Sequence, residues 1–155
     1  MGLFARKMDT AKSDANRARL EALWAATVPD PAAYTVLYGF AMDVGRMDFV
    51  IVRKTTYTYT SFVIGYRADD PTIVMLPIDP QVQQIGEPYV LRRSEMHKAY
   101  KQKMGGSAFI VYPTSKNYME FWTPDKNGDE KHSVYIDQPD EAAAFTAFFT
   151  GTFAT

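Results

Sequence analysis

The sequence predicts an α+β domain: a strongly bent antiparallel sheet or partly open barrel, with a helix before it and a helix capping its end. Three observations carry that expectation. Apolar residues recur at helical spacing near the two ends of the chain, within 9–28 and 139–150. Between them, from Tyr34 to Ile136, short runs alternate with period two and are separated by Gly, Pro, Asn and Asp. Aromatics are abundant, with Tyr 10, Phe 10 and Trp 2 in 155 residues, and such rings favour strands and fill small cores. The length suits one domain, read as a helical extension over residues 1–30 and a β-rich unit with its C-terminal helix over 31–155.

Each element has a local reason. In 9–28, Asp9, Thr10 or Ser13 can cap the start. Ala15, Ala18, Ala22, Leu23 and Ala26 mark an apolar face, Leu20 and Trp24 add bulk, and Arg17 and Arg19 fall on polar sides. Pro29-Asp30-Pro31 stops this helix, which is expected to dock on the outside of the later sheet. Met1–Met8 is expected to fray. Strands are expected over Tyr34–Asp43, with Tyr34, Val36, Tyr38 and Phe40 on one face, over Asp48–Lys54 after a Val44-Gly45-Arg46 turn, over Thr55–Tyr66, and over Thr72–Ile78. The alternation of Thr and Tyr in the third predicts a half-exposed strand, able to pair with a second copy. Residues 91–104 read in two ways: as a helix capped by Ser94, with Met96, Tyr100 and Met104 on one face, or as a strand with Met96, Lys98 and Tyr100 alternating. The helix is favoured on the residues alone. Ser107–Tyr112 and Tyr118–Thr123 follow as strands, and Asn127-Gly128 predicts a positive-φ hairpin turn returning through Lys131–Ile136. The final helix starts at Asp137 or Gln138, carries Pro139, Asp140 and Glu141 in its first turn, faces inward with Ala142, Phe145, Phe148 and Phe149, and ends at Gly151.

The composition narrows the functions. Lysine plus arginine (17) nearly balance aspartate plus glutamate (18), so a generic polyanion binder is not expected. Cysteine is absent, which excludes thiol catalysis, cysteine–zinc sites and disulfides. No signal-peptide core and no run of about 20 apolar residues is present, so the expectation is a cytoplasmic protein. His97 and His132 are the only histidines; HExxH, GxSxG, GxGxxG and Walker loops are missing. Asp125–Asp129 resembles half a calcium loop, but its glycine stands in the fourth place and Ile136 in the twelfth. No cofactor or metal is expected, and an enzyme is not the favoured reading.

The run RSEMHKAYKQKMGGSAFIVY, then YMEFW, then VYIDQPDEAAAFTAFF is similar to the end of bacterial pleckstrin-homology-like domains. The order of elements resembles that group over roughly residues 34–150. The resemblance implies a seven-stranded bent sheet closed by an amphipathic helix. It also implies a strand, not a helix, within 91–104. The family carries no shared activity; its members bind phosphoinositides, peptides or partner proteins.

The leading candidate site is basic. Arg92, Arg93, Lys98, Lys101 and Lys103 face Glu95 alone between residues 91 and 106, a local charge of +4. Residues 125–141 carry the opposite sign, −4, through Asp125, Asp129, Glu130, Asp137, Asp140 and Glu141 against Lys126 and Lys131. The five cations, helped by Arg53 and Lys54, could hold an anionic ligand or headgroup unless the acidic stretch neutralises them. The expectation is therefore a non-catalytic binding or protein-interaction module. Two alternatives stand beside it: a small-molecule-binding barrel or enzyme lined by Tyr57, Tyr59, Tyr100 or Tyr112, and a peripheral module for anionic lipid. The expected partner is a protein or an anionic headgroup; nucleic acid is not expected, and a homodimer is left open.

Overall fold

The computed structural model describes residues 8–42, 59–103 and 107–155. Helix α1 spans Thr10–Thr27. Seven strands follow: β1 (Thr35–Met42), β2 (Tyr59–Arg67), β3 (Thr72–Ile78), β4 (Tyr89–Arg92), β5 (Lys98–Lys101), β6 (Phe109–Tyr112) and β7 (Met119–Trp122). They form one antiparallel sheet in the order β4-β3-β2-β1-β7-β6-β5. A small pair, β8 (Lys126–Asn127) and β9 (Ile136–Asp137), precedes helix α2 (Pro139–Phe148) and a π-turn at Phe149–Phe153. The expectations for Met1–Lys7, the Val44–Arg46 turn, the Asp48–Lys54 strand and Tyr57 lie outside the described residues, as do Arg53 and Lys54.

The sheet curls because one apolar cluster takes residues from all seven strands. Leu37, Phe62, Ile73, Leu91, Ala99, Phe109 and Phe121, one from each strand, meet Phe145, Phe148, Phe149 and Phe153 of the C-terminal helical segment. A flat sheet could not turn all those side chains onto one helix, so the result is a half-barrel plugged by α2. Phe145 sits at the centre, with ring centroids 5.0 Å from Phe109, 5.3 Å from Tyr66 and 6.0 Å from Phe121. Such pairs add about 0.5–1.5 kcal/mol each beyond area burial. The apolar face expected for this helix holds, but the helical backbone does not stop at Gly151. It widens into the π-turn and carries Phe149 and Phe153 inward, both fully buried.

The opposite face of the sheet is covered by α1, as expected. Leu20, Trp24 and Val28 pack on Tyr38, Val63, Val74, Leu76 and Ile78, with Val134 and Ile136 closing the cluster. The buried face is not the alanine face: Ala15, Ala18, Ala22 and Ala26 are exposed, while Ser13, Leu20 and Trp24 are buried. Leucine and tryptophan bury far more area than methyl groups, and they set the rotation of the helix. Arg17 accordingly lies on the packed side, where it bonds Glu141 and the carbonyl of Asp137. Asp9 is the N-cap, its carboxylate accepting from the Lys12 N–H at 3.1 Å.

Three further expectations are corrected. The helix expected over 91–104 is not formed over its described part, 91–103: β4 ends at Arg92, a 3-10 turn covers Arg93–Glu95, and β5 follows. The half-exposed reading of β2 does not hold over Thr60–Tyr66, which is buried throughout, while Thr55–Thr58, which carry most of the Thr/Tyr alternation, lie outside the described residues. β2 is an inner strand with α1 on one face and α2 on the other, so both faces are covered. Finally, Asn127-Gly128 makes no positive-φ turn. Asn127 pairs with Ile136 instead, and its side-chain amide donates to the Val134 carbonyl at 2.7 Å and to Ser133 Oγ at 2.8 Å.

Candidate functional site

The two edges of the sheet, β4 and β5, are consecutive in sequence, and Arg93–His97 carries the chain from one to the other. The C-terminal segment lies between them. Arg93 Nη2 donates to the Ala154 carbonyl at 3.2 Å on the β4 side. On the β5 side, Thr155 N–H donates to the Ala99 carbonyl at 2.8 Å, and the Ala99 N–H donates to Thr155 Oγ1 at 3.1 Å. The basic residues are distributed around this closure.

Strand alternation divides them. Ala99 is buried toward the core, so Lys101 shares its face while Lys98 and Tyr100 take the other. Lys98 is exposed, its Nζ 5.0 Å from the centroid of the Tyr100 ring. Lys101 is half-buried across from Phe109, with Nζ 5.6 Å from that ring centroid. Lys103 is exposed beyond the end of β5. Arg92 is exposed at the β4 edge, and its Nη1 lies 4.0 Å from Glu95. The five cations are thus a rim of two parts rather than one patch: Arg92, Arg93 and Lys98 at the edges, Lys101 and Lys103 together at the far end of β5.

The acidic stretch does not neutralise them. Glu130 is bound by Lys12 at 2.8 Å, and Glu141 by Arg17, both from α1. The Glu130 hydrogen bond raises the Lys12 ammonium above its ordinary range. Asp129 turns back on its own loop, accepting from the Lys131 N–H at 2.9 Å. Among the described residues, no carboxylate pairs with Arg93, Lys98, Lys101 or Lys103.

An open cleft of about 430 Å³ lies at the Lys101–Lys103 end. Tyr100, Lys101, Gln102 and Lys103 form one wall, and Ser107, Thr150 and Ala154 the other. Gln102 extends the β5–β6 ladder: its N–H donates to the Ala108 carbonyl at 2.8 Å, and its Oε1 accepts from the Ala108 N–H at 3.4 Å. That pins the amide and leaves its NH₂ donors without a partner among the described residues. Ser107 holds a left-handed backbone, φ 59°, and its hydroxyl has no partner among the described residues. The Thr150 hydroxyl is spent on the Thr146 carbonyl at 2.8 Å. Gln102, Ser107 and Thr150 were not legible as site residues, since no motif marks them.

Of the four tyrosines expected to line a pocket, the two whose side chains are described, Tyr100 and Tyr112, do not converge. Tyr100 lines the cleft, whereas Tyr112 stacks on Tyr118 at 5.3 Å. His97 is exposed and His132 lies 3.8 Å from Asp129 at the surface. Among the described residues, no three of His, Asp and Glu gather as metal ligands. No helix of the described residues is long and apolar enough to cross a membrane. A second open groove of about 570 Å³ runs between α1 and β1, past Glu21, Trp24, Tyr34 and Glu141.

Comparison of the chain with protein-family models, curated proteins and solved structures finds no match.

Proposed function

We propose that this protein is a non-catalytic binding module that receives anionic groups along its basic edge, Arg92 to Lys103. One observation carries the reading: α1 takes up Glu130 and Glu141 while Arg93, Lys98, Lys101 and Lys103 stay without a carboxylate partner among the described residues. Unpaired cations held on an edge strand stay available to an outside anion. They also guard that edge against unwanted strand pairing. The pleckstrin-homology-like reading is kept as part of the proposal. It is supported by the seven-strand count, the strand over Lys98–Lys101 and the helix plugging one side. The phenylalanine-filled interior weighs against a barrel that houses a small molecule.

The test compares two sources of anionic surface at low ionic strength. Poly-glutamate stands for an acidic protein face, and vesicles of phosphatidylcholine and phosphatidylserine in equal amounts for a membrane. Binding to one of them, weakened by salt and by Lys98→Glu with Lys101→Glu, is the expected result and identifies the partner class. No binding to either, or binding indifferent to the charge reversal, sinks the proposal.

A further inference from the structure

The cleft at the end of β5 has a chemistry of its own. Among the described residues, its polar side chains offer donors and no carboxylate: the ammonium groups of Lys101 and Lys103, the NH₂ of Gln102 and the hydroxyl of Ser107. Two ammonium charges and several neutral donors exceed what one carboxylate can accept. A phosphate monoester, with a charge of about −1.5 to −2 and three acceptor oxygens, matches both the charge and the donor count. The volume of about 430 Å³ is much larger than a phosphate and falls within the usual range for small-ligand sites. The rest of such a ligand would lie against the half-buried Tyr100 ring and the Ala154 methyl.

We infer that this cleft is a site for a soluble phosphate monoester with a compact apolar body, the phosphate held by Lys101, Lys103, Gln102 and Ser107 and the body resting on Tyr100 and Ala154. The inference rests on the reading of the basic edge as an anion-receiving surface, and it narrows that reading to one end. Lys98 borders the site through the Tyr100 ring, whereas Lys116, exposed in the turn after β6 at the other end of the β5–β6 ladder, takes no part.

Phenyl phosphate and inorganic phosphate are the probes, titrated calorimetrically at constant ionic strength. The expected result is saturable one-to-one binding, tighter for phenyl phosphate than for inorganic phosphate. Lys101→Gln with Lys103→Gln should weaken it by about ten-fold or more, as loss of charged hydrogen bonds does, and Lys116→Gln should change it less than about two-fold. Amide chemical shifts of Gln102 and Ser107 should move with the same saturation curve. Absence of saturable binding overturns the inference, as does an equal loss in Lys116→Gln, which would mean diffuse attraction. The vesicles and poly-glutamate separate this failure from that of the broader reading. If either binds while phenyl phosphate does not, the cleft inference alone falls. If phenyl phosphate binds and neither surface does, the cleft stands and the extended edge loses its role.

Discussion

The side chain of Gln138 bonds both backbone groups of Tyr38: its Oε1 accepts the Tyr38 N–H at 2.9 Å, and its Nε2 donates to the Tyr38 carbonyl at 2.9 Å. A third bond at 2.9 Å reaches the Pro124 carbonyl. The sheet explains the need. β1 pairs with β7 only at Phe40 and Ala41, so at Tyr38 the outer side of β1 has no strand neighbour. An amide side chain stands in for the missing strand, inside a site where Gln138 is 1% exposed.

Gln138→Ala should therefore cost about 3 kcal/mol, because it strands buried backbone groups. Urea unfolding monitored by tryptophan fluorescence measures this. A loss under about 1 kcal/mol would mean that water replaces the amide. Gln138→Glu should restore only the acceptor half of the arrangement and remain destabilised.

Gly65 lies under Trp24. A Cβ there would stand 2.1 Å from Trp24 Cζ2 and 2.3 Å from Cη2, so the ring would have to move. Gly65→Ala should destabilise by about 1–3 kcal/mol, the usual cost of overpacking. Combined with Trp24→Leu, the same substitution should cost markedly less. Additive effects in this double-mutant cycle would contradict the contact.

Phe145→Ala should be among the most damaging changes, at about 3–5 kcal/mol, since it opens a hole among Tyr66, Phe109 and Phe121. Phe148→Leu, at a position less fully buried and near the rim of the cluster, should cost less. Equal losses at the two positions would show that Phe145 is not central.

Asp69 accepts from Arg67 Nε at 2.9 Å and from Nη2 at 2.8 Å, and this hydrogen bonding holds its carboxyl below the ordinary range. The folded form thus retains the carboxylate to lower pH than the unfolded chain does. The contribution is complete above the unfolded value, about 3.9, and is lost as pH falls through the lower folded one. In Asp69→Asn, the drop in thermal midpoint between pH 5 and 2 (chosen to bracket that range) should be smaller. An unchanged acid profile would remove the pair from the account.

Burial raises the Tyr66 phenol above its ordinary value, with Glu141 adding to the effect. Folding then favours the protonated phenol. That support is complete below the unfolded value, about 10, and declines as pH rises toward the folded one. Tyr66→Phe should flatten the loss of stability in alkali. A steeper loss in the variant would reverse the sign and refute the reading.

The parts of the fold legible in the sequence are those where one pattern dominates. Phe145, Phe148 and Phe149 announce the face of α2, and Pro29-Asp30-Pro31 the end of α1. Residues 91–104 misled because Arg, Glu, Met and Lys all favour helices, while the structure needs Leu91 and Ala99 in the core on two edge strands. The alanines of α1 misled because periodicity counts apolar residues but not the area each one buries. The basic segment was legible as a charge run, but its division by strand alternation was not. The cleft was invisible, since half of it comes from Thr150 and Ala154, distant in sequence from Lys101.

The short seam between β1 and β7 has a kinetic meaning. β2, β3 and β4 each join a strand close to them in sequence, so the first four strands close small loops. The pairs Phe40–Trp122 and Ala41–Phe121 close a loop that contains nearly the whole sheet, for a gain of only two ladder positions. The seam is the expensive step in order of assembly, and the phenylalanines of α2 supply what the ladder does not. During refolding, β2 and β3 amides should gain protection from hydrogen exchange before those of β7, and Phe145→Ala should widen that interval. Simultaneous protection of all three strands would place the seam within the nucleus rather than after it.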